Sequence, residues 1–149
     1  MPDDAPSRAQ QRRIAERCWQ VYEWVCRRFA VAPEVHEQFP ETAELALWTG
    51  ARQVRVLLAD PPGYALGLWE AYVLSAEAPD ISRYSYVLLE RETPILRADP
   101  SPHHDVDYRG RKLTRFPHHL HDEQGRVRSF SGHIEDFLSK AAALLRNQS

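Results

Sequence analysis

Residues 54–75 read VRVLLADPPGYALGLWEAYVLS, and their composition predicts two β-strands joined by a turn. Two segments rich in β-branched, aromatic and aliphatic residues lie on either side of residues 60–63 (DPPG), which form a turn by composition. Two further strands are predicted on the same grounds at residues 83–90 and 95–99, and Pro79-Asp80 marks another turn. Connections this short favour antiparallel pairing over parallel βαβ units.

Amphipathic helices are predicted at both ends of the chain, where apolar residues recur every three or four positions. The first helix is expected to begin at a cap on Ser7 and to end near residue 29. The last is expected at residues 133–146, capped by Ser131 or Gly132. The sequence therefore predicts an α+β fold with four or five antiparallel strands and a C-terminal helix packed on the sheet.

The segment between the first helix and the sheet is acidic and contains two prolines, Pro33 and Pro40. We expect the prolines to bracket an irregular connection. A short helix is predicted at residues 42–49, with Gly50 as its left-handed stop.

The composition indicates one globular domain, with a helical region at residues 1–50 and the sheet, the His-rich segment and the closing helix at residues 51–149. The chain has 149 residues, 43% of them hydrophobic, and a net charge of −2, which is no signature of a nucleic-acid binder. No apolar run is long enough to span a bilayer or to form a secretory signal. Cys18 and Cys26 are eight residues apart on a predicted helix, too far for a disulfide, so we expect a reduced, cytoplasmic protein.

Six of the seven histidines lie between residues 103 and 133. Five of them form two clusters that each follow a proline: Pro102-His103-His104 and Pro117-His118-His119-Leu120-His121. In an extended chain the side chains alternate between faces, so His119 and His121 should share a face and His118 should point away. On the same argument only one of His103 and His104 can face a given site.

Three interpretations of these histidines are open. They can be an accidental run or polar-loop residues with ordinary hydrogen bonds. They can be ligands of a divalent metal such as zinc, with His104, His119 and His121 as the candidate set. They can also carry out metal-independent acid–base catalysis, because imidazole titrates near neutral pH.

The surrounding residues favour the third interpretation, with no cofactor. Cleavage of RNA without a metal needs a base for the ribose 2′-hydroxyl, an acid for the leaving oxygen and a cation for the charge that develops on phosphate. Arg97 and Asp99 lie two apart on one predicted strand and share its face. Tyr84 and Tyr86 are paired in the same way on another strand and, with Arg115, are candidates to bind the substrate.

These segments, in this order, resemble a known family over about residues 51–146. The pattern consists of Tyr84-Ser85-Tyr86, Arg97-x-Asp99, Pro102-His103-His104 and Phe116-Pro117-His118-His119-x-His121. It is similar to the TumE-type toxin family of prokaryotic toxin–antitoxin modules, although Leu120 stands where that family often has a basic residue. The resemblance implies a small cytoplasmic toxin, an antitoxin protein as partner, and an RNA-cleaving activity that stops translation.

The hypothesis from sequence is thus a metal-independent endoribonuclease toxin. The predicted catalytic set is His103, His104, His118, His119, His121, Arg97 and Asp99. His119 or His121 would be the base and His103 or His104 the acid, while Arg97 stabilises the transition state and Asp99 and Tyr86 orient these groups.

Two alternatives are kept: a metal-dependent nuclease or hydrolase, and a non-catalytic protein that binds a partner or nucleic acid. The basic first helix and the acidic residues 34–44 also permit a homo-oligomer or docking of the antitoxin. No membrane association is expected.

Overall fold

The structure is a computed structural model that describes residues 6–74 and 79–147. Its elements in chain order are α1 (Arg8–Arg28), β1 (Ala30–Val31), α2 (Pro33–Thr49), β2 (Ala51–Asp60), β3 (Tyr64–Leu74), β4 (Pro79–Glu90), β5 (Thr93–Asp99), β6 (His119–His121), β7 (Val127–Ser129) and α3 (Ile134–Arg146). The strands that the structure describes form one antiparallel sheet in the order β1 to β7. The predicted α+β class, the antiparallel pairing and both terminal helices are confirmed.

The prediction of four or five strands is wrong, because the described sheet has seven. The additional strands are β1, which has two residues, and the pair β6 and β7, which have three each. Segments of two or three residues are too short to be recognised as strands from hydrophobic periodicity. The predicted turn at Pro79-Asp80 is also wrong, since both residues pair with the end of β3, and the predicted strand end at Ser75 lies outside the described residues.

The first fifty residues contain a longer second helix than predicted. α2 begins at Pro33 and continues through Pro40, where an irregular connection was expected. Proline at the first helical position costs no hydrogen bond, and Pro40 lies exposed, where water can satisfy the carbonyl that its missing N–H leaves unpaired. The burial of Val35 and Phe39 stabilises this part of the helix despite the two prolines. Gly50 ends α2 with φ 69°, as predicted.

The predicted N-cap of α1 is confirmed, and the predicted N-cap of α3 is wrong. Ser7 caps α1: its hydroxyl accepts a hydrogen bond from the Gln10 N–H, and the Gln10 side chain accepts one from the Ser7 N–H. The cap position of α3 is His133 rather than Ser131 or Gly132. Ser131 instead accepts a hydrogen bond from the His133 N–H.

The helices pack on one face of the sheet, which we call the core face. Alternate side chains of the central strands point to them and are at most 3% exposed: Leu66, Leu68, Tyr86, Leu88, Leu96 and Ala98. Phe137 of α3 lies against the ring of Tyr86, so the C-terminal helix packs on the sheet as predicted. The intervening residues form the opposite face, called the open face below, which carries Arg55, Trp69, Ser85, Arg97, Asp99, His119 and His121.

A buried carboxylate joins α1 to three strands on the core face. Glu70 of β3 is inaccessible to solvent and accepts hydrogen bonds from Arg17 of α1, Arg52 of β2, and the hydroxyls of Tyr72 and Tyr86. Burial alone would raise the pKa of Glu70, but the two guanidinium groups outweigh burial and hold that pKa below its usual range. The carboxylate is therefore ionised and fixes the distance and angle between α1 and the sheet.

Both cysteines lie on α1 and are free, in agreement with the spacing argument. Within residues 6–74 and 79–147, no helix combines the length and the apolar character that a membrane span requires.

We predict that Glu70→Gln lowers the free energy of unfolding by about 3 kcal/mol, because the amide leaves the buried guanidinium of Arg52 and the partly buried one of Arg17 without their counter-charge. Urea denaturation at pH 7 measures this change. Glu16→Gln, at an exposed position on α1, is the matched control and should change stability by less than about 0.5 kcal/mol. Equal stability of the two variants would contradict the role assigned to Glu70.

Candidate functional site

The site is built on two neighbouring strands of the open face. In the pairing of β5 with β6, Asp99 lies opposite His119 and Arg97 lies opposite His121. Side chains two apart on a strand share a face, so these four groups project together from the sheet. The predictions that Arg97 and Asp99 share a face, and that His119 and His121 do so, are confirmed.

The segment that follows β5 brings two more imidazoles onto this face. A turn at Pro102 and His103 folds the chain back over β6. The ring centroids of His103 and His104 lie 5.4 and 5.1 Å from that of His119. The expectation that only one of these two histidines can face the site is wrong, because the chain turns here instead of running extended.

The result is a cluster of four imidazoles, His103, His104, His119 and His121, called the four-histidine cluster below. Each residue offers one ring nitrogen, and the four nitrogens lie within 4.8 Å of one another. Neighbouring ring centroids are 4.3 to 5.4 Å apart. His119 is fully buried at the base, His104 and His121 are half-buried, and His103 is exposed.

The orientation of His119 is fixed by the backbone. Its Nδ1 lies 3.1 Å from the carbonyl oxygen of Pro117, and because a carbonyl only accepts, Nδ1 carries the hydrogen. The other nitrogen, Nε2, points into the cluster, is buried and has no hydrogen-bond partner among the described residues. The nearest carboxylate oxygen, Oδ1 of Asp99, is 3.6 Å away, beyond hydrogen-bond length.

Two imidazoles of the cluster are held in the neutral form. Burial lowers the pKa of His104, and the neighbouring His103 and His119 lower it further. Burial also lowers the pKa of His121, as does the positive charge of Arg97. At neutral pH these rings therefore present lone pairs, which a base or a metal ligand must have.

Polar groups around the cluster fix its outer members. Ser101 Oγ lies 2.6 Å from Nδ1 of His103, and the Ser101 N–H donates to the Asp99 carboxylate at 2.9 Å. Asp99 is thereby held beside the cluster with its side chain 28% exposed. Arg97 is exposed next to His121, where an anion bound at the cluster would meet it.

Four other predicted site residues lie outside the four-histidine cluster. His118 points away from the cluster, as predicted, and its Nδ1 is 2.8 Å from the hydroxyl of Tyr84. Tyr84 and Tyr86 stack on each other on the core face and are 4% and 0% exposed, so neither offers a free ring face to a substrate. Arg115 lies exposed in the turn before His118, outside the cluster.

The carboxylate of Asp122 holds β6 in place, a role that was not predicted from the sequence. Asp122 accepts hydrogen bonds from the backbone N–H of Gln124 and Arg126 and from the side chains of Arg126 and Arg128, which closes the β6–β7 hairpin. Although burial acts to raise the pKa of Asp122, these donors lower that pKa to about 2. The signal was present in the DEQG sequence at 122–125, an Asx turn followed by glycine.

The geometry of the cluster is close to that of a metal site but wider. With metal–nitrogen bonds of about 2.0–2.1 Å, ligand atoms of a tetrahedral zinc site are about 3.4 Å apart. The widest pair in the cluster would have to close by about 1.4 Å, from 4.8 Å. Rotation of the exposed His103 and small shifts of the half-buried rings can supply this movement.

Comparisons with known proteins identify no relative. No family model matches the chain, and neither the curated proteins nor the solved structures contain a match.

We predict that Asp122→Asn destabilises the protein by about 1 kcal/mol at pH 7, a value reduced for the partial exposure of its arginine partners. Asp122 has a folded pKa of about 2 and an unfolded pKa of about 3.9, so its contribution is complete above pH 4 and disappears as the pH falls through 2.

Urea unfolding of wild type and Asp122→Asn between pH 2 and pH 7 measures the effect, with the exposed neighbour Glu123→Gln as control. The difference between wild type and Asp122→Asn should shrink on acidification. A difference that is independent of pH would contradict the assignment.

Proposed function

We propose that the chain is a hydrolase of phosphodiester bonds whose four-histidine cluster binds a divalent metal ion, with zinc as the first candidate. The observation that carries this proposal is the buried Nε2 of His119, which has no partner among the described residues and faces three other imidazoles. Burying a polar atom without a partner costs about 1–3 kcal/mol, and a metal ion would remove that cost. The hydrogen bond from Nδ1 to the Pro117 carbonyl is the orienting contact typical of metal-bound histidines.

The unequal exposure of the four rings favours a catalytic over a purely structural metal site. His104, His119 and His121 are half-buried or buried, and three histidines with one open position are a known catalytic zinc arrangement. His103 is exposed and lies on a turn, so it can leave the metal more readily than the other three rings. The open position then faces solvent, where a phosphate can enter.

A divalent metal would polarise the phosphoryl group and lower the pKa of a water molecule. The residues around the cluster supply the remaining functions. Asp99 can take the proton of the attacking water as its oxygen bonds to phosphorus. His103 can return a proton to the oxygen that leaves when the other phosphorus–oxygen bond breaks. Arg97 lies where it can stabilise the negative charge of the transition state.

A second candidate is the metal-independent endoribonuclease toxin. The proximity of Asp99 to His119, at 3.6 Å, and the lowered pKa of His104 and His121 favour it, since neutral imidazoles serve as general bases. The resemblance to the TumE-type family supports a toxin role in the cytoplasm with an antitoxin partner for either chemistry. In this metal-independent mechanism a histidine of the cluster removes the proton of the ribose 2′-hydroxyl.

We predict that tag-free protein freed of metal by EDTA and dialysis binds one equivalent of zinc. His119→Ala should weaken zinc binding by about 100-fold or more, because it removes the buried ligand. Isothermal titration calorimetry measures both, and His118→Ala is the matched control, since His118 adjoins the cluster in sequence but lies outside it. Zinc affinity that is unchanged in His119→Ala would refute the metal site.

We further predict that EDTA abolishes cleavage of mixed cellular RNA by the purified protein and that added zinc restores it. Asp99→Asn should lower the cleavage rate by about 100-fold, because it removes the proposed base. His36→Ala, far from the cluster in sequence and located on α2, should have no effect. Cleavage that persists in EDTA and leaves cyclic phosphate ends would favour the second candidate.

A further inference from the structure

A cleft of about 700 Å³ opens on the sheet beside the four-histidine cluster. Its wall on one side is Asp99, Ser101 and His103, which belong to the site already described. Its wall on the other side is Trp69 of β3 and Arg83 of β4. The volume lies within the roughly 300–1,000 Å³ typical of small-molecule sites, and His103 connects the cleft directly to the proposed metal position.

Trp69 is a large aromatic residue on the open face of the sheet, with space beside its ring. It lies on the open face instead of the core face, and it is only half-buried. The neighbours on its own strand, Gly67 and Ala71, are small, and Ser85 lies directly opposite on β4. A side-chain carbon added at Gly67 would come no nearer than 3.9 Å to Val87, so a larger residue would fit there. The small neighbours leave space beside the indole.

Arg83 supplies a positive charge at the same place. Its guanidinium carbon is 5.9 Å from the centroid of the Trp69 ring, near the outer limit of a cation–π contact. Arg83 is exposed and makes no ion pair with the described side chains. A planar ring between the two groups needs about 7 Å, two van der Waals spacings of about 3.5 Å, so Arg83 would move by about 1 Å.

We propose that this cleft binds the base of one nucleotide, stacked on Trp69 and covered by Arg83, so that the attached phosphate lies at the four-histidine cluster. This inference rests on the proposed function, because the cluster is taken as the place of the scissile phosphate. It adds the substrate class: a nucleotide with a planar base, recognised by stacking rather than by base-edge hydrogen bonds. Arg97, which lies opposite His121 of the cluster, is placed for the next phosphate of the chain.

The test compares two probes that differ only by the base: AMP and ribose 5-phosphate. Both are titrated into metal-free protein by calorimetry, since stacking on Trp69 does not require the metal. AMP should bind about tenfold more tightly than ribose 5-phosphate. AMP should also quench tryptophan fluorescence, and that quenching should be lost in Trp69→Phe.

Two variants test whether Trp69 and Arg83 produce the preference for AMP. Trp69→Leu should abolish that preference while leaving the affinity for ribose 5-phosphate within about twofold, and circular dichroism checks that it is folded. Arg83→Ala, at an exposed position, tests the same cleft without risk to folding and should reduce the preference. Arg55→Ala, another exposed arginine on the open face, is the matched control and should keep it.

Equal affinity for the two probes, binding of neither, or an AMP preference that survives both Trp69→Leu and Arg83→Ala would overturn the base site. These results do not depend on zinc. A protein that binds zinc in the cluster but does not distinguish AMP from ribose 5-phosphate keeps the proposed function and loses this inference. A protein that prefers AMP but binds no zinc keeps the base site and loses the metal centre.

Discussion

The ionised carboxylate of Glu70 ties α1 to the central strands of the sheet. It lies on the core face of a central strand and holds Arg17 of α1 and Arg52 of β2 by hydrogen bonds of 2.8 Å. A buried ion pair of this kind contributes little net stability compared with apolar packing, but it specifies one arrangement, because any other leaves charges unpaired. α1 is thereby fixed to the core face, and the open face is left for chemistry.

The candidate site lies on the open face of the same sheet, opposite Glu70. Alternation along β5 and β6 places Arg97, Asp99, His119 and His121 on the open face, while Leu120 points into the core and anchors the strand. The cluster is therefore built on strands that the core holds rigid, with a turn carrying its exposed member His103. Such a combination suits a site that must keep its geometry at the base and admit a substrate at the top.

Much of this architecture is predictable from sequence, and the errors have physical causes. The long strands and the two terminal helices follow from periodicity, and alternation alone places His119 and His121 together. The first part of α2, residues 33–41, was missed because its prolines are breaking signals, which the burial of Phe39 outweighs. The joint placement of His103 and His104 depends on a turn after β5, and tertiary contacts decide that turn.

For Glu70 and Trp69 of β3, alternation along the strand indicates which face of the sheet each side chain occupies. Glu70 follows Leu66 and Leu68 in the core-facing phase of its strand, where a carboxylate needs buried donors. Trp69 is in the opposite phase, where a large aromatic ring is left half-exposed unless something covers it. Alternation gives the side of the sheet for each residue, but the two arginine partners of Glu70 come from α1 and β2, and pairing over such sequence distances has no local signal.

X-ray absorption at the zinc edge shows directly whether the four-histidine cluster is a metal centre. On zinc-loaded protein we expect three or four imidazole nitrogens at about 2.0–2.1 Å from the zinc, with the multiple-scattering pattern of histidine rings. His119→Ala should lower the imidazole count by one or abolish zinc binding. A spectrum with zinc bound only to water and carboxylate oxygens, or with one histidine at most, would contradict the claim.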